Sequence, residues 1–197
     1  MKETNILILI ATCIVLPLII HTEADTCQRP NRLETSFDFT SLDGTWYVVR
    51  GLNSQFDCYD CRNITFLPLP VLPQAFIAEE HYILKLNDST EHFDVKSSVS
   101  QWNATTPGIV RFYSSASDAT LEWRVLDYAL NNTYVYAYYC GTYNWGYQFE
   151  GSVVLSRTTS ISDETVSKLD HIATSLGWNW NSYCKPDLID QCDYIYE

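Results

Sequence analysis

Four side chains with reactive potential crowd into five consecutive positions: Asp57, Cys58, Asp60 and Cys61. A Cys-x-x-Cys pair can cycle between dithiol and disulfide, but such redox pairs sit at a strand-turn-helix junction. No pattern of that kind surrounds Cys58 and Cys61, so both are read as structural. His81, His92 and His171 lie far apart without ligand spacing, and no metal site is expected. A Gly-rich phosphate loop and a Gly-x-Ser-x-Gly elbow are both missing from the sequence, which leaves carboxylates and tyrosines as the residues able to do chemistry.

The compartment follows from the N-terminus. Lys2 precedes Ile6 to Ile20, apolar apart from Thr12 and broken by Pro17, and Thr22-Glu23-Ala24 offers a cleavage point. Residues 1–24 therefore read as a secretory signal peptide; a membrane anchor needs roughly 18 or more apolar residues and disfavours that proline. Residues 25–41 form an N-terminal extension carrying Cys27 and Pro30, and residues 42–197 a single domain. Beyond Cys13 in the leader, Cys27, Cys58, Cys61, Cys140, Cys184 and Cys192 make an even set, implying disulfides with about 15 possible pairings. Acceptor sequons at Asn63, Asn87, Asn103 and Asn131 agree with secretion and are expected on the surface.

The formal net charge is −12, which makes nucleic acid and anionic membrane poor partners. The acids are scattered from Asp57 and Asp60 through Glu79-Glu80 to Asp187 and Asp190, and read as a solvated surface.

Several strands must position these residues. The stretch Asp43 to Cys61 opens with one, in which Trp46 and Val48 fall on one face and Tyr47 and Val49 on the other. Residues 63–67, 74–86, 91–102, 109–113, 119–128, 134–139 and 148–157 follow the same pattern, separated by turn residues such as Asn87-Asp88-Ser89-Thr90 and Pro107-Gly108. Pro68, Pro70 and Pro73 interrupt pairing. About eight strands at regular spacing predict an antiparallel barrel. The period then changes: Val166, Leu169, Ile172, Ala173 and Leu176 form a helical stripe over 162–176, with Ser160 or Ser162 as N-cap and Gly177 closing the end. That stripe should pack on the outside of the barrel. Tyr134, Tyr136 and Tyr138 alternate with Val135, Ala137 and Tyr139, and either set can line the interior.

The Gly44-x-Trp46 opening resembles the lipocalins. The longer run Trp46 to Asn53, followed by Phe56-Asp57-Cys58-Tyr59-Asp60-Cys61, resembles the lipocalin domain of the violaxanthin de-epoxidase family, which carries Gly-Leu-Asn and Phe-Asp-x-Phe-Asp-Cys at the same spacing. Tyr138-Tyr139-x-Gly141 and Gly151-Ser152-Val153-Val154 resemble that family's Tyr-Tyr-Arg-Gly and Gly-Ala-Val-Val segments with no gap between them. The resemblance covers roughly residues 42–192 and implies an all-β, eight-stranded antiparallel lipocalin-type barrel with one C-terminal helix. It also implies that Cys61 is joined to Cys192.

In that family an epoxidised carotenoid fills the barrel, ascorbate is the co-substrate, and a carboxylic acid protonates the epoxide, which requires burial to keep the acid protonated. Carried over residue by residue, the catalytic candidates are Asp57, Asp60 and Tyr139. The family's Asp-Asp-Trp-Tyr is matched by Leu121-Glu122-Trp123-Arg124, so leucine takes the acid's place and Glu122 stands beside it. Ser100 stands for a glutamine, Tyr147 for an aspartate and Leu155 for a tyrosine. The histidines after the opening motif are absent, as are the cysteine-rich and glutamate-rich flanking segments.

These departures favour a secreted barrel that binds a small hydrophobic ligand, a carotenoid, retinoid or lipid, through Trp46, Trp102, Trp123 and Tyr139, with no cofactor and no membrane anchor. A de-epoxidase-like oxidoreductase using ascorbate and a side-chain-filled barrel that meets another protein are the alternatives.

Overall fold

The computed structural model describes residues 27–69, 75–86, 89–100, 107–114, 117–188 and Cys192. The expected signal peptide, Trp102, Asn87, Asn103, Pro70 and Pro73 lie outside the described residues.

Eight strands run in sequence: β1 Gly44–Gly51, β2 Asp60–Pro68, β3 Ala75–Leu86, β4 Ser89–Ser100, β5 Ile109–Ser114, β6 Ala119–Tyr128, β7 Tyr134–Tyr143 and β8 Gln148–Ser156. They form one antiparallel sheet in the order β4-β3-β2-β1-β8-β7-β6-β5. Because β1 pairs with both β2 and β8, the meander curls back on itself. Its two edges, β4 and β5, run beside each other with no ladder between them among the described residues. Bulges between Val48 and Arg50 and between Val125 and Asp127 shift the register and bend the strands, as closure requires.

The two-residue period of β1 resolves as expected: Trp46 and Val48 point into the barrel, while Tyr47 and Val49 face the helix side. In β7 every residue from Tyr134 to Gly141 is buried. Val135 and Tyr139 belong to the interior core, and Tyr134, Tyr136 and Tyr138 to a second core outside the sheet. Both faces are buried because α1, Asp163–Ser175, lays Leu169, Ile172 and Ala173 over the outer face. Ser162 caps this helix by accepting from the Thr165 amide at 3.2 Å, a contact worth about 1 kcal/mol. Gly177, at φ +82°, turns the chain after the last helical residues. The segment beyond adds Trp180, Tyr183 and Leu188 to the outer core, with the Tyr136 and Tyr183 hydroxyls 2.6 Å apart.

One end of the barrel is closed by the N-terminal extension. Phe37 and Phe39 pack edge to face at 5.2 Å beside Leu42. The Trp46 indole donates to the Leu42 carbonyl at 2.7 Å, and the Arg157 guanidinium lies 3.8 Å above its ring. Arg157 also donates to the carbonyls of Thr45, Ser41 and Asp43, locking the plug to β1. Trp46, expected among the ligand contacts, is instead fully buried in this closure, with Arg157 over one ring face, and is not part of the cavity wall described below.

Three disulfides fasten the chain ends to the barrel: Cys27–Cys140, Cys58–Cys184 and Cys61–Cys192. The last is the pair the resemblance implies, and the other two are decided by tertiary placement. Cys184 also forms a two-way backbone bridge with Gly51, and the Asp187 carbonyl accepts from Cys61 N at 2.7 Å. Asn131 is exposed, as a sequon should be, but Asn63 is 2% exposed and donates to the Cys61 carbonyl. The surface expectation fails at Asn63 because β2 runs between β1 and β3, with Asn63 opposite Tyr47 and His81.

Candidate functional site

The end of the barrel opposite the Phe37–Phe39 plug opens into a cavity of about 320 Å³. Its deeper wall is apolar, with Ile64 and Phe66 of β2, Phe76 of β3, Val110 and Phe112 of β5, and Leu121 of β6. Aromatic side chains crowd its upper part: Phe56 packs on Phe149 at 4.9 Å and Tyr59 stacks on Tyr82 at 4.7 Å, with Phe93 stacked on Tyr82 at 5.2 Å outside the lining. Trp123 and Tyr139 also line the cavity, and their rings lie 6.3 Å apart. The barrel is therefore not filled by its own side chains.

Besides the hydroxyls of Ser114 and Ser117, one charged cluster interrupts the apolar wall. The β1–β2 loop folds back against Gly51, where a Cβ would come within 2.1 Å of Asp57 Cβ, so only glycine admits this approach. The loop holds its own shape, since Asp57 N donates to the Asn53 carbonyl at 2.7 Å and Asn53 N donates to Asp57 Oδ2 at 2.9 Å. Asp57 is thereby carried to complete burial. It accepts from Tyr139 Oη at 2.8 Å and from Arg62 Nη1 at 3.2 Å. Arg62 in turn donates through Nε to Glu80 at 2.6 Å and through Nη1 to the Phe56 carbonyl at 2.5 Å. Arg62, Glu80 and Tyr139 face the cavity, with Asp57 behind them.

Burial pushes the Asp57 carboxyl above its ordinary value, against the opposing effects of Arg62, the Asn53 amide and the Tyr139 hydroxyl. Burial and the neighbouring Asp57 charge hold the Tyr139 phenol well above its ordinary value. Tyr139 is thus a fixed hydroxyl donor at any physiological pH.

The other acidic candidates lie elsewhere. Glu122 alternates with Leu121 and Trp123, so it points out of the barrel. There it accepts from Arg29 at 2.9 Å, Arg111 at 2.6 Å and Arg124 at 2.6 Å. Burial raises its pKa, but hydrogen bonds from the three arginines outweigh that and hold the carboxyl below the usual glutamate value. Glu122 is accordingly an ionised anchor for the N-terminal strap and cannot act as an acid toward the cavity. Asp60 is also turned away, paired with Lys85 at 2.7 Å and accepting from Asp187 N at 2.9 Å. Leu155, which replaces a family tyrosine, is fully buried in the interior core, and Tyr147 is 49% exposed at the β7–β8 turn. Among the described residues no group of His, Cys, Asp and Glu could hold a metal ion, and no helix is long and apolar enough to cross a membrane.

A family model described as the VDE lipocalin domain matches residues 11–188. The chain belongs to the VDE lipocalin domain family. It is 25% identical over 171 residues to a protein named violaxanthin de-epoxidase, chloroplastic, from Nicotiana tabacum, and 24% identical over 167 residues to one of the same name from Arabidopsis thaliana. Each match covers 80% of this chain but only 33% and 35% of the relative, so the chain spans about a third of their length. Among solved structures it is similar to lobster apocrustacyanin A1, at TM-score 0.63 and 17% identity over 81% of this chain and 84% of that one. Apocrustacyanin C2 gives TM-score 0.62 and 18% identity over 80% and 83%. These likenesses show the lipocalin fold.

Within this VDE lipocalin domain, the residues that sequence reasoning missed are Arg62 and Glu80. Glu79-Glu80 reads as an ordinary acidic surface pair. The available signal was the alternation Ala78, Glu80, Tyr82, which places Glu80 on the same face as residues that line the cavity. Asp57 likewise does not belong to a solvated surface, because the Gly51 contact and the Asn53 turn bury it.

The fit around Tyr139 can be tested at Gly151, where an added Cβ would lie 2.3 Å from Tyr139 Oη. Gly151→Ala should force the phenol off Asp57, at a cost of about 1–3 kcal/mol. Thermal unfolding should register the loss. An unchanged Tm would mean that the ring moves aside freely.

Proposed function

We propose that this protein is a secreted lipocalin that binds a small hydrophobic ligand, a retinoid or lipid or one end of a carotenoid. The observation that carries this reading is the cavity of about 320 Å³ with a deep apolar wall. That volume lies at the low end of the range of roughly 300–1,000 Å³ that takes drug-sized ligands. Three disulfides agree with an oxidising compartment. No cofactor is required for binding alone. The direct test is mass spectrometry of small molecules that copurify, combined with titration of retinol or a carotenoid against tryptophan emission. Trp123 in the wall should be quenched, whereas an empty preparation that no apolar probe quenches would remove the reading.

The second reading is a de-epoxidase-like reaction with ascorbate, suggested by the name of the curated relatives. The Asp57–Tyr139 pair favours it, since a buried acid with a raised pKa stands behind a hydroxyl in the cavity wall. Against it, β6 presents Leu121 to the cavity and turns Glu122 into three arginines. Positioned acid catalysis contributes about 10² to 10⁴-fold. We therefore expect no appreciable product from violaxanthin and ascorbate at acidic pH. Turnover that survives Glu122→Gln and is abolished by Tyr139→Phe would establish the enzyme instead.

A further inference from the structure

We infer that the cavity selects neutral, oxygen-bearing apolar ligands, such as alcohols, ketones or esters, and rejects carboxylates such as fatty acids and retinoic acid. This rests on the ligand-binding reading above and narrows it to a chemical class.

The inference follows from charge and hydrogen-bond geometry at the polar part of the wall. Among the described residues that line the cavity, Arg62 is the one cation and Glu80 the one carboxylate. A lipocalin-sized pocket that captures an acid needs a cation whose charge is not already neutralised. Here the guanidinium is already held by two carboxylates, Glu80 at 2.6 Å and Asp57 at 3.2 Å, with Nη1 also donating to the Phe56 carbonyl. With Glu80 ionised, one positive charge against two acids sums to minus one when Asp57 is ionised and to zero when it is protonated, so the cluster then carries no net positive charge. A ligand carboxylate would give up its hydration to enter an apolar cavity and would there face Glu80 without a free counter-charge. The net charge of −12 repels anions at longer range as well.

A neutral oxygen gives up far less hydration than a carboxylate and meets no like-charge repulsion. It can accept from the guanidinium without adding charge, and a hydroxyl can in addition donate to Glu80. The rest of such a ligand would lie against Ile64, Phe66, Phe76 and Phe112, so the oxygen-bearing end points toward the aromatic mouth. The cluster thus sets both class and orientation through like-charge exclusion rather than through pocket shape.

Retinoic acid and its methyl ester share one skeleton and differ in charge, which makes them suitable probes beside retinol. Titrated against the full chain at neutral pH and followed by tryptophan quenching, the ester and retinol should bind at least about tenfold more tightly than the acid. In Glu80→Gln the cluster becomes neutral or positive, and the ratio of acid to ester dissociation constants should fall toward one. Acid binding as tight as ester binding in the unsubstituted protein overturns the inference while leaving the ligand-binding reading intact, and needs no variant to fold. A ratio unchanged by Glu80→Gln in folded protein overturns the assignment to this cluster. Failure of all three probes to bind removes the ligand-binding reading and this inference with it.

Discussion

Replacing Arg62 with methionine should destabilise the protein by about 3–5 kcal/mol, the usual result of stripping one partner from a buried ion pair. For a chain of this size the melting temperature should fall by roughly 6–20 °C. Arg62 is 8% exposed and Asp57 fully buried, so water cannot replace the lost guanidinium. The effect should depend on pH in a definite direction. Burial already raises the Asp57 pKa above the ordinary aspartate value of 3.8, and removal of Arg62, which opposes that rise, should raise it further. The folded state then holds a proton that the unfolded state releases. The Asp57 contribution is therefore full below pH 3.8 and is lost as pH climbs through the folded pKa. Relative to the unsubstituted protein, Arg62→Met should be least impaired in acid and most impaired near neutrality. Adding Asp57→Asn should recover part of the loss at neutral pH. A deficit that is constant with pH and not rescued by Asp57→Asn would show that Arg62 acts through packing alone.

Removing the Cys58–Cys184 disulfide should have a comparable effect. The two cysteines are 126 residues apart, and deleting a native disulfide from a small secreted domain costs about 2–5 kcal/mol. Cys58 immediately follows Asp57 in the loop that delivers the buried carboxylate, while Cys184 is bridged by backbone hydrogen bonds to Gly51 at the start of that loop. The double substitution Cys58→Ser, Cys184→Ser should therefore loosen the cavity as well as lower global stability. Hydrogen exchange at the Asn53 and Asp57 amides should accelerate beyond what global unfolding accounts for, and ligand affinity should fall. The same substitutions at Cys27 and Cys140 remove a strap on the outer core, and should lower stability without that local acceleration. Equal acceleration in both variants would show that the loop is held by the barrel as a whole.

Each strand and the helix were legible because their side-chain periods are local. Alternation in β1 separates Trp46 and Val48 from Tyr47 and Val49 before any neighbour is known, and the three- and four-residue steps from Val166 to Leu176 identify the helical stripe that packs on the barrel. The barrel's polar site was only half legible. Asp57 and Tyr139 stood out by resemblance to family motifs, whereas Arg62 and Glu80 sit in runs that read as ordinary strand and surface.

What the sequence determined by itself is the number and type of elements, the even cysteine set, the Cys61 and Cys192 correspondence to family cysteines, and the replacement of the family acid by Leu121. Only the tertiary structure decided which face of β7 is inside, because Tyr134 to Gly141 is buried on both sides and alternation alone names two faces without saying which one the helix covers. It decided the pairs Cys27–Cys140 and Cys58–Cys184, since pairing depends on distance in space. It also placed Trp46 in the closure, Asn63 under its neighbours and Glu122 among three arginines. The physical reason is common to all of these. A residue's type sets what it can bond to, but its burial and partners are set by strand register and by segments more than ninety positions away, such as Arg29 on Glu122.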